Sequence, residues 1–461
     1  MIPLSLQEVA IACGGSLDGG DPAAVVTGVA TDNRTARPGD LFVGIRGEHF
    51  DGGSFAAAAL AAGASAVAVE AGAAVDLPCT AARVVVVDGL AALQSLAAAV
   101  RRRTRARVVA VTGSTGKTCT KDILAALLRP LAHTVATPGN YNNEVGVPLT
   151  LLAIDTDTEV VVAELAMRGR GQIRALARLV APDVGVITNI APVHLELVGD
   201  IAGVAAAKAE LIEELGANSV VVPDGEPLLG PYLARHKGRV VTFGESRGDV
   251  NLVDVEYGID GTHALIDAYG RRVSLHFNFT GGQYLSDALA ALGAFLELGF
   301  SLNDARGGAG TIVFSQLRGE VVRLAGGGFL LNDSYNANPL AMRAAVDHLL
   351  QLAAGYPPVA ILGDMCELGP EAPRYHAEVG SYVAARGVRL VAVGELARGY
   401  LTGAAGESWH ATVAECVAAL PAEVPPGSAV LVKASRALRL ERVAAALQAA
   451  AAADGEEASR V

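Results

Sequence analysis

The stretch Val108-Val109-Ala110-Val111-Thr112-Gly113-Ser114-Thr115-Gly116-Lys117-Thr118 sets how the rest of the chain is read. An apolar, mostly β-branched run reads as a strand. A loop of small residues follows, then Lys121 to Leu128, which reads as a helix. Strand, small-residue loop and helix make a phosphate cradle. Backbone N–H groups can converge there, and the helix N-terminus adds positive potential. Lys117 would reach the outer phosphates, and the Thr118 hydroxyl would sit on Mg²⁺. Val111 stands where the longer form of this loop has its first Gly, so the loop is the short T-G-x-x-G-K-T kind. The plainer alternative is a helix-capping turn that contains a lysine.

The chain has 461 residues and a net charge of −12. At roughly 150 residues per domain, that length suggests about three domains. Apolar residues are 51% and aromatics only 5%, so the cores should be aliphatic. The acidic balance argues against a general nucleic-acid binder, although a local basic pocket could still take an anion. The five cysteines, Cys13, Cys79, Cys119, Cys366 and Cys416, are scattered without a C-x-x-C pair. This spacing fits a reducing compartment and no zinc site. The first residues lack a basic segment followed by an apolar core, and no apolar run is long enough to span a membrane. A soluble cytoplasmic protein is expected.

Residues 1–103 alternate strand and helix signals, with strands expected at Val25–Thr31, Asp40–Ile45, Ala66–Val69 and Arg83–Val87. Two polar stretches follow strands: Thr31-Asp32-Asn33-Arg34 and Arg46-Gly47-Glu48-His49-Phe50-Asp51-Gly52-Gly53. Open α/β sheets place ligands at such positions, although on their own these stretches read better as surface loops. Arg101 to Arg107 reads as a solvated linker. A second unit spans 108–317. It holds the turn-rich loop Thr137 to Pro148, a strand ending at Glu164, and a strand ending near Asn189 with His194 just beyond. If these strands are parallel neighbours, Glu164 and His194 share an edge with Lys117. Glu164 offers oxygen ligands suited to Mg²⁺. Lys208 lies on an Ala-rich helix and reads by default as a surface lysine. Between Ser219 and His276 an insertion or sheet edge is expected. Asp287 reads as a helix cap, or with Gln283 as a nucleotide contact. The third unit, 318–461, alternates strand and helix again, so a parallel sheet of the dinucleotide-binding type is expected. It lacks G-x-G-x-x-G. Its tail, 450–461, is expected to fray.

Taken together, these landmarks resemble the Mur ligase family, and within it the branch that joins D-Ala-D-Ala to UDP-MurNAc-tripeptide. The resemblance rests on Thr112 to Thr118, Thr137 to Pro148, Asn332-Asp333-Ser334-Tyr335-Asn336-Ala337-Asn338-Pro339, Gly363-Asp364-Met365, and Asp40 to Val43 with Gly47-Glu48. It implies an α/β fold of three domains: a smaller UDP-substrate-binding domain, a central ATP-binding domain with a P-loop-type parallel sheet, and a Rossmann-like C-terminal domain. It implies ATP and Mg²⁺ as cofactors, and amide formation through an acyl phosphate.

Residue by residue, the resemblance puts Gly113, Ser114, Thr115, Gly116, Lys117, Thr118 and Cys119 on ATP, with Gln283, Asp287 and Asp333. It puts Thr118, Glu164, His194 and Lys208 around metal, Lys208 as a carbamate. Asn140, Asn143, Asn336, Lys433, Ser435 and Arg436 would meet substrate. Thr31, Asp32, Asn33, Arg34, Arg46 and Gly47 would hold the UDP end. Several positions depart from the family pattern: Cys119 replaces Ser or Thr, Asn33 replaces Ser, Gln283 and Asp287 replace His and Asn, and Ala434 replaces Gly. A monomer that binds no nucleic acid and inserts in no membrane is expected. The competing readings are a related ligase with another amine and a nucleotide-binding protein without ligase activity.

Overall fold

The computed structural model describes residues 1–458 except 48–49, 74–76, 79, 259–260, 325–326 and 405. Glu48, His49 and Cys79 therefore lie outside the described residues, as do 459–461. Three sheets carry the chain, and the phosphate-loop strand lies inside the largest of them.

That central sheet has nine strands. From one edge they run Arg271–Phe277, Gly261–Ala268, Val250–Gly258, Val240–Gly244, Ser219–Pro223, Val184–Ile187, Arg107–Thr112, Val160–Glu164 and Thr134–Ala136. The last seven are parallel to their neighbours, and the first three form an antiparallel meander. The stretch from Ser219 to His276 is thus the sheet's own extended edge, not an insertion. Arg107–Thr112 is buried on both faces, which explains its unbroken apolar run. The helix Lys117–Leu128 starts at Lys117, four residues before the apolar pattern that announced it.

The N-terminal sheet orders Ser16–Asp18, Arg83–Val86, Ala66–Glu70, Asp40–Val43 and Gly28–Ala30, all parallel except the first. The expected strand Val25–Thr31 is two strands. Val25–Val26 pairs with Leu4–Ser5, and Gly28–Ala30 joins the main sheet. The break is at Thr27, whose N–H donates to Gly39 O.

The helix Gly89–Arg103 is capped by Asp88, which accepts from Ala91 N–H. It buries Leu93, Leu96, Ala97 and Val100 and packs against the helix Gly146–Leu152. That i, i+3, i+4, i+7 spacing is one helix face. Each buried Leu contributes about 1.5–3 kcal/mol. Arg101 does not belong to a solvated linker. Its guanidinium donates to Val180 O at 2.7 Å and Ala181 O at 2.9 Å. It satisfies the carbonyls that end the helix Gln172–Val180 and so clamps the first unit to the second.

The C-terminal sheet orders Glu320–Arg323, Phe329–Asn332, Ala429–Lys433, Pro358–Gly363, Arg389–Val393 and Ser408–His410, parallel but for the first. Its last helix runs Glu441–Ala458, into the tail that is expected to fray from residue 450. Asn338 caps the helix Pro339–Leu352. This helix brings His348 onto the central unit, where Thr280 Oγ1 lies 3.0 Å from His348 Nε2.

His348 is 1% exposed, and burial pushes its pKa down to about 4, with Asp333 opposing. An unfolded histidine takes its proton near pH 6.5, while the folded one resists until about 4. Acid therefore favours the unfolded chain. This contribution is fully present above pH 6.5 and lost by about pH 4, at most about 3 kcal/mol. Thermal unfolding followed from pH 7 to 4 should show a shallower loss of stability in His348→Gln than in the parent. Parallel curves would exclude His348 as the titrating group.

Candidate active site

The carboxyl ends of Arg107–Thr112, Val160–Glu164 and Val184–Ile187 face a cavity of about 1490 Å³, closed from above by the C-terminal unit. The phosphate loop forms its floor. Gly113 has φ 150 and Gly116 φ 77, conformations that favour glycine. A Cβ at Gly116 would lie 2.0 Å from Asp287 Oδ1. The loop is held from beneath by the next strand end. Thr115 N–H donates to Asn189 Oδ1, and the Thr188 hydroxyl donates to Thr115 O.

Lys117 Nζ folds back onto Gly113 O at 2.7 Å and Ser114 O at 3.2 Å. Burial lowers its pKa, and Arg318 lowers it further against the pull of Glu164 and Asp287. Thr118 is buried beside it. Glu164 is 1% exposed. Its Oε1 accepts from Asn142 Nδ2 at 2.7 Å, while Oε2 is buried without a partner among the described residues. A buried carboxylate oxygen with no donor is costly, and a hard cation would satisfy it.

Lys208 is 2% exposed, not a surface lysine. Burial and the charge of Lys117 hold its pKa well below the ordinary range. Its helix, Ile201–Glu214, is capped by Asp200 and packs under His194 through the short helix Leu195–Val198. His194 has φ 53, and its Nδ1 meets the Glu367 carboxylate of the C-terminal unit.

Of the residues named from sequence, Ser114 to Cys119, Asn140, Asn143, Glu164, His194, Gln283 and Asp287 line this one cavity, as do Asp333, Asn336, Lys433, Ser435 and Arg436. Gly113 lies just behind, supplying a carbonyl to Lys117. Asp287 does not cap its helix. The cap position is Gly281, and Asp287 sits six residues further on, where burial raises its pKa well above the carboxylate range. Asn143 uses its side-chain oxygen on Gly146 N–H and Val145 N–H, so it starts a helix as well as lining the cavity. Asp333 is engaged by the buried Lys433 at 2.5 Å. The Arg436 guanidinium pairs with Glu441.

The N-terminal group is elsewhere. Thr31, Asp32, Asn33, Arg34, Arg46 and Gly47 follow the neighbouring strands Gly28–Ala30 and Asp40–Val43 and are absent from the cavity wall. Arg34 folds onto Asp32, and Arg46 pairs with Asp51 and Glu70. Residues missed from sequence are Asn142, which holds Glu164, and Arg318, a cation in the cavity stacked 4.2 Å from the Tyr335 ring. Asn142 lies between two asparagines that were noticed. Arg318 lies at a supposed boundary, where no pattern marks it.

The chain matches three family models: the Mur ligase family catalytic domain at residues 25–101, the Mur ligase middle domain at 111–295, and the Mur ligase glutamate ligase domain at 317–436. It is 35% identical to the UDP-N-acetylmuramoyl-tripeptide–D-alanyl-D-alanine ligase of Bacillus subtilis (strain 168), over 91% of this chain and 92% of that one.

The chain belongs to the Mur ligase family.

It is also 33% identical to the ligase of the same name from Escherichia coli (strain K12), over 97% of this chain and 99% of that one. Among solved structures it resembles MurF from Acinetobacter baumannii, with a TM-score of 0.87 and 30% identity over 97% and 99% of the two chains. It also resembles the MurF ligase of Thermotoga maritima in complex with ADP, with a TM-score of 0.79 and 28% identity over 92% and 97%.

Mur ligases use ATP and Mg²⁺, and the donor set here fits them. Among the described residues no three His, Cys, Asp or Glu gather as a metal cage. Magnesium needs none, because one or two protein oxygens with water and phosphate complete its shell. Thr118 and the orphaned Glu164 Oε2 supply such oxygens.

The φ at Gly116 and its contact with Asp287 make a substitution informative. A side chain in the left-handed region costs about 1–2 kcal/mol, worth about tenfold in affinity. Titration calorimetry with ADP should find Gly116→Ala weaker than the parent by at least that factor. Unchanged affinity would show that the loop does not hold phosphate in this shape.

Proposed function

We propose that this chain joins D-Ala-D-Ala to UDP-MurNAc-tripeptide with cleavage of ATP to ADP and phosphate, giving UDP-MurNAc-pentapeptide for peptidoglycan. Its relatives of that name match more than nine-tenths of its length, and Lys117, Glu164 and His194 meet in one cavity. The tripeptide carboxylate attacks the γ-phosphorus of ATP, giving an acyl phosphate and releasing ADP. The amine of D-Ala-D-Ala then attacks the acyl carbon and phosphate leaves. The main task is to bring two anions together, so electrostatic positioning outweighs any protein nucleophile.

Lys117 holds the outer phosphates. Thr118 and Glu164 would hold one magnesium and His194 a second, ions that would neutralise charge on the transferring group. Arg318 adds a cation at the same place. Lys208, whose burial disfavours the ammonium form, would add CO₂ with loss of a proton and become an anionic oxygen ligand. Gln283 and Asp287 meet the nucleoside side of ATP. Asn140, Asn143, Asp333, Asn336, Lys433, Ser435 and Arg436 surround the tripeptide end and the incoming amine. Thr31, Asp32, Asn33, Arg34, Arg46 and Gly47 hold the UDP. Residues 1–103, 108–317 and 318–461 thus serve as UDP, ATP and amine domains. The demand for ATP supports a cytoplasmic site of action.

Phosphate release from ATP should require both UDP-MurNAc-tripeptide and D-Ala-D-Ala, with the pentapeptide as product. Release with the tripeptide and a different amine would move the substrate assignment. Lys117→Ala should lower kcat by about 10²–10³-fold at saturating ATP. Retention of near-full turnover would remove Lys117 from the chemistry.

In ¹³C-bicarbonate the protein should show a carbamate carbon resonance that Lys208→Arg lacks. The same resonance in both would place the carbamate on another amine.

A further inference from the structure

The loop after the strand Pro358–Gly363 leaves the C-terminal sheet and crosses to the rim of the central one. Its Glu367 carboxylate meets His194 Nδ1. The partners are 173 residues apart in sequence, and both line the cavity. Both backbones stand in the left-handed region, φ 53 at His194 and φ 63 at Glu367, so each side chain is aimed by an unusual turn. The two loops touch again where Gly369, φ 58, faces Glu196: a Cβ there would lie 3.2 Å from Glu196 Cγ. Behind the loop, Cys366 N–H donates to Ser435 Oγ at 2.9 Å.

An ionised carboxylate only accepts hydrogen bonds, so Nδ1 must carry the proton. A neutral imidazole then keeps its lone pair on Nε2, the atom left for a metal or a phosphate-bound water. We infer that Glu367 is a positioning residue for His194, fixing its tautomer and ring orientation from the opposite side of the cleft. The contact exists only while the C-terminal and central units are closed on each other. Closure and the readiness of His194 are therefore one event. This rests on the ligase reading above and adds a residue and a coupling to it.

The full chain with Glu367→Ala and Glu367→Asp tests it. Loss of such a carboxylate behind a histidine typically costs 10–100-fold in activity, so Glu367→Ala should lower kcat by about that much. KM for ATP should move by less than about threefold, because the phosphate loop is untouched. Glu367→Asp should recover part of the loss. Long-range ¹H–¹⁵N spectra of ¹⁵N-histidine protein, with His194 assigned by its absence in His194→Asn, should show the proton on Nδ1 in the parent and on Nε2 in Glu367→Ala. A kcat within twofold of the parent, or an unchanged Nδ1 proton in Glu367→Ala, overturns the inference. If the parent ligates no amine, the ligase reading fails instead, and the tautomer spectra still decide the role of Glu367.

Discussion

Two lysines set close together at one sheet edge, neither in an ion pair among the described residues, are the constraint on which this structure depends. Lys208 is almost fully buried, and the charge that bears on it is another lysine, Lys117. Lys117 is held by two carbonyls rather than by a carboxylate. Arg318 shares the same cavity. Ammonium groups withdrawn from water cost several kcal/mol each unless paired or deprotonated. A stable fold tolerates that only where something else offsets it. A polyphosphate supplies the missing negative charge. A carbamate on Lys208 would turn the least tolerable cation into an anion.

The edge exists because of parallel topology. Parallel strands deliver their carboxyl ends to one side, so Thr112, Glu164 and Ile187 finish within one layer. The loops beyond them are then fixed by short polar contacts. Asn189 and Thr188 hold the phosphate loop, and Asn142 holds Glu164. The helix start at Lys117 depends on Gly116 in a conformation that most side chains avoid. Apolar strands decide where the site lies, and a few side-chain amides and hydroxyls decide its shape.

Sequence reading captured what local chemistry determines. The phosphate loop was legible because strand, glycine loop and helix are contiguous. Glu164 and His194 were legible because each follows a strand, and parallel strands end together. Asp287 was misread because an acidic residue near a helix start suggests a cap. Its burial comes from the phosphate loop, about 170 residues away in sequence. Lys208 looked like a surface lysine on an Ala-rich helix, and only the family resemblance reversed that reading. Arg101 looked like part of a linker, because its carbonyl partners belong to a helix end nearly 80 residues on. Glu367 left no local trace. The errors share one cause: each residue's partner is distant in the chain, and a single sequence does not encode distance in space.

The cohesion of the three units is unequal, and this bears on how the site is completed. One apolar core runs unbroken from Leu4 through the N-terminal sheet into Val108, Val161 and Leu211 of the central unit. The first two units are therefore welded by the hydrophobic effect. The two cores of the C-terminal unit are separate and draw their buried residues from Phe329 onward. Named polar and aromatic contacts join that unit to the central one: His194 with Glu367, Thr280 with His348, and Tyr284 with His348. Interfaces of that kind permit relative movement of domains. Lys433, Asp333 and Glu367 all belong to the less firmly attached unit. These three thus lie on the part that can swing away, while the phosphate loop and Lys208 stay with the welded part. This division suits a ligase that must admit a nucleotide and two peptides to one cavity.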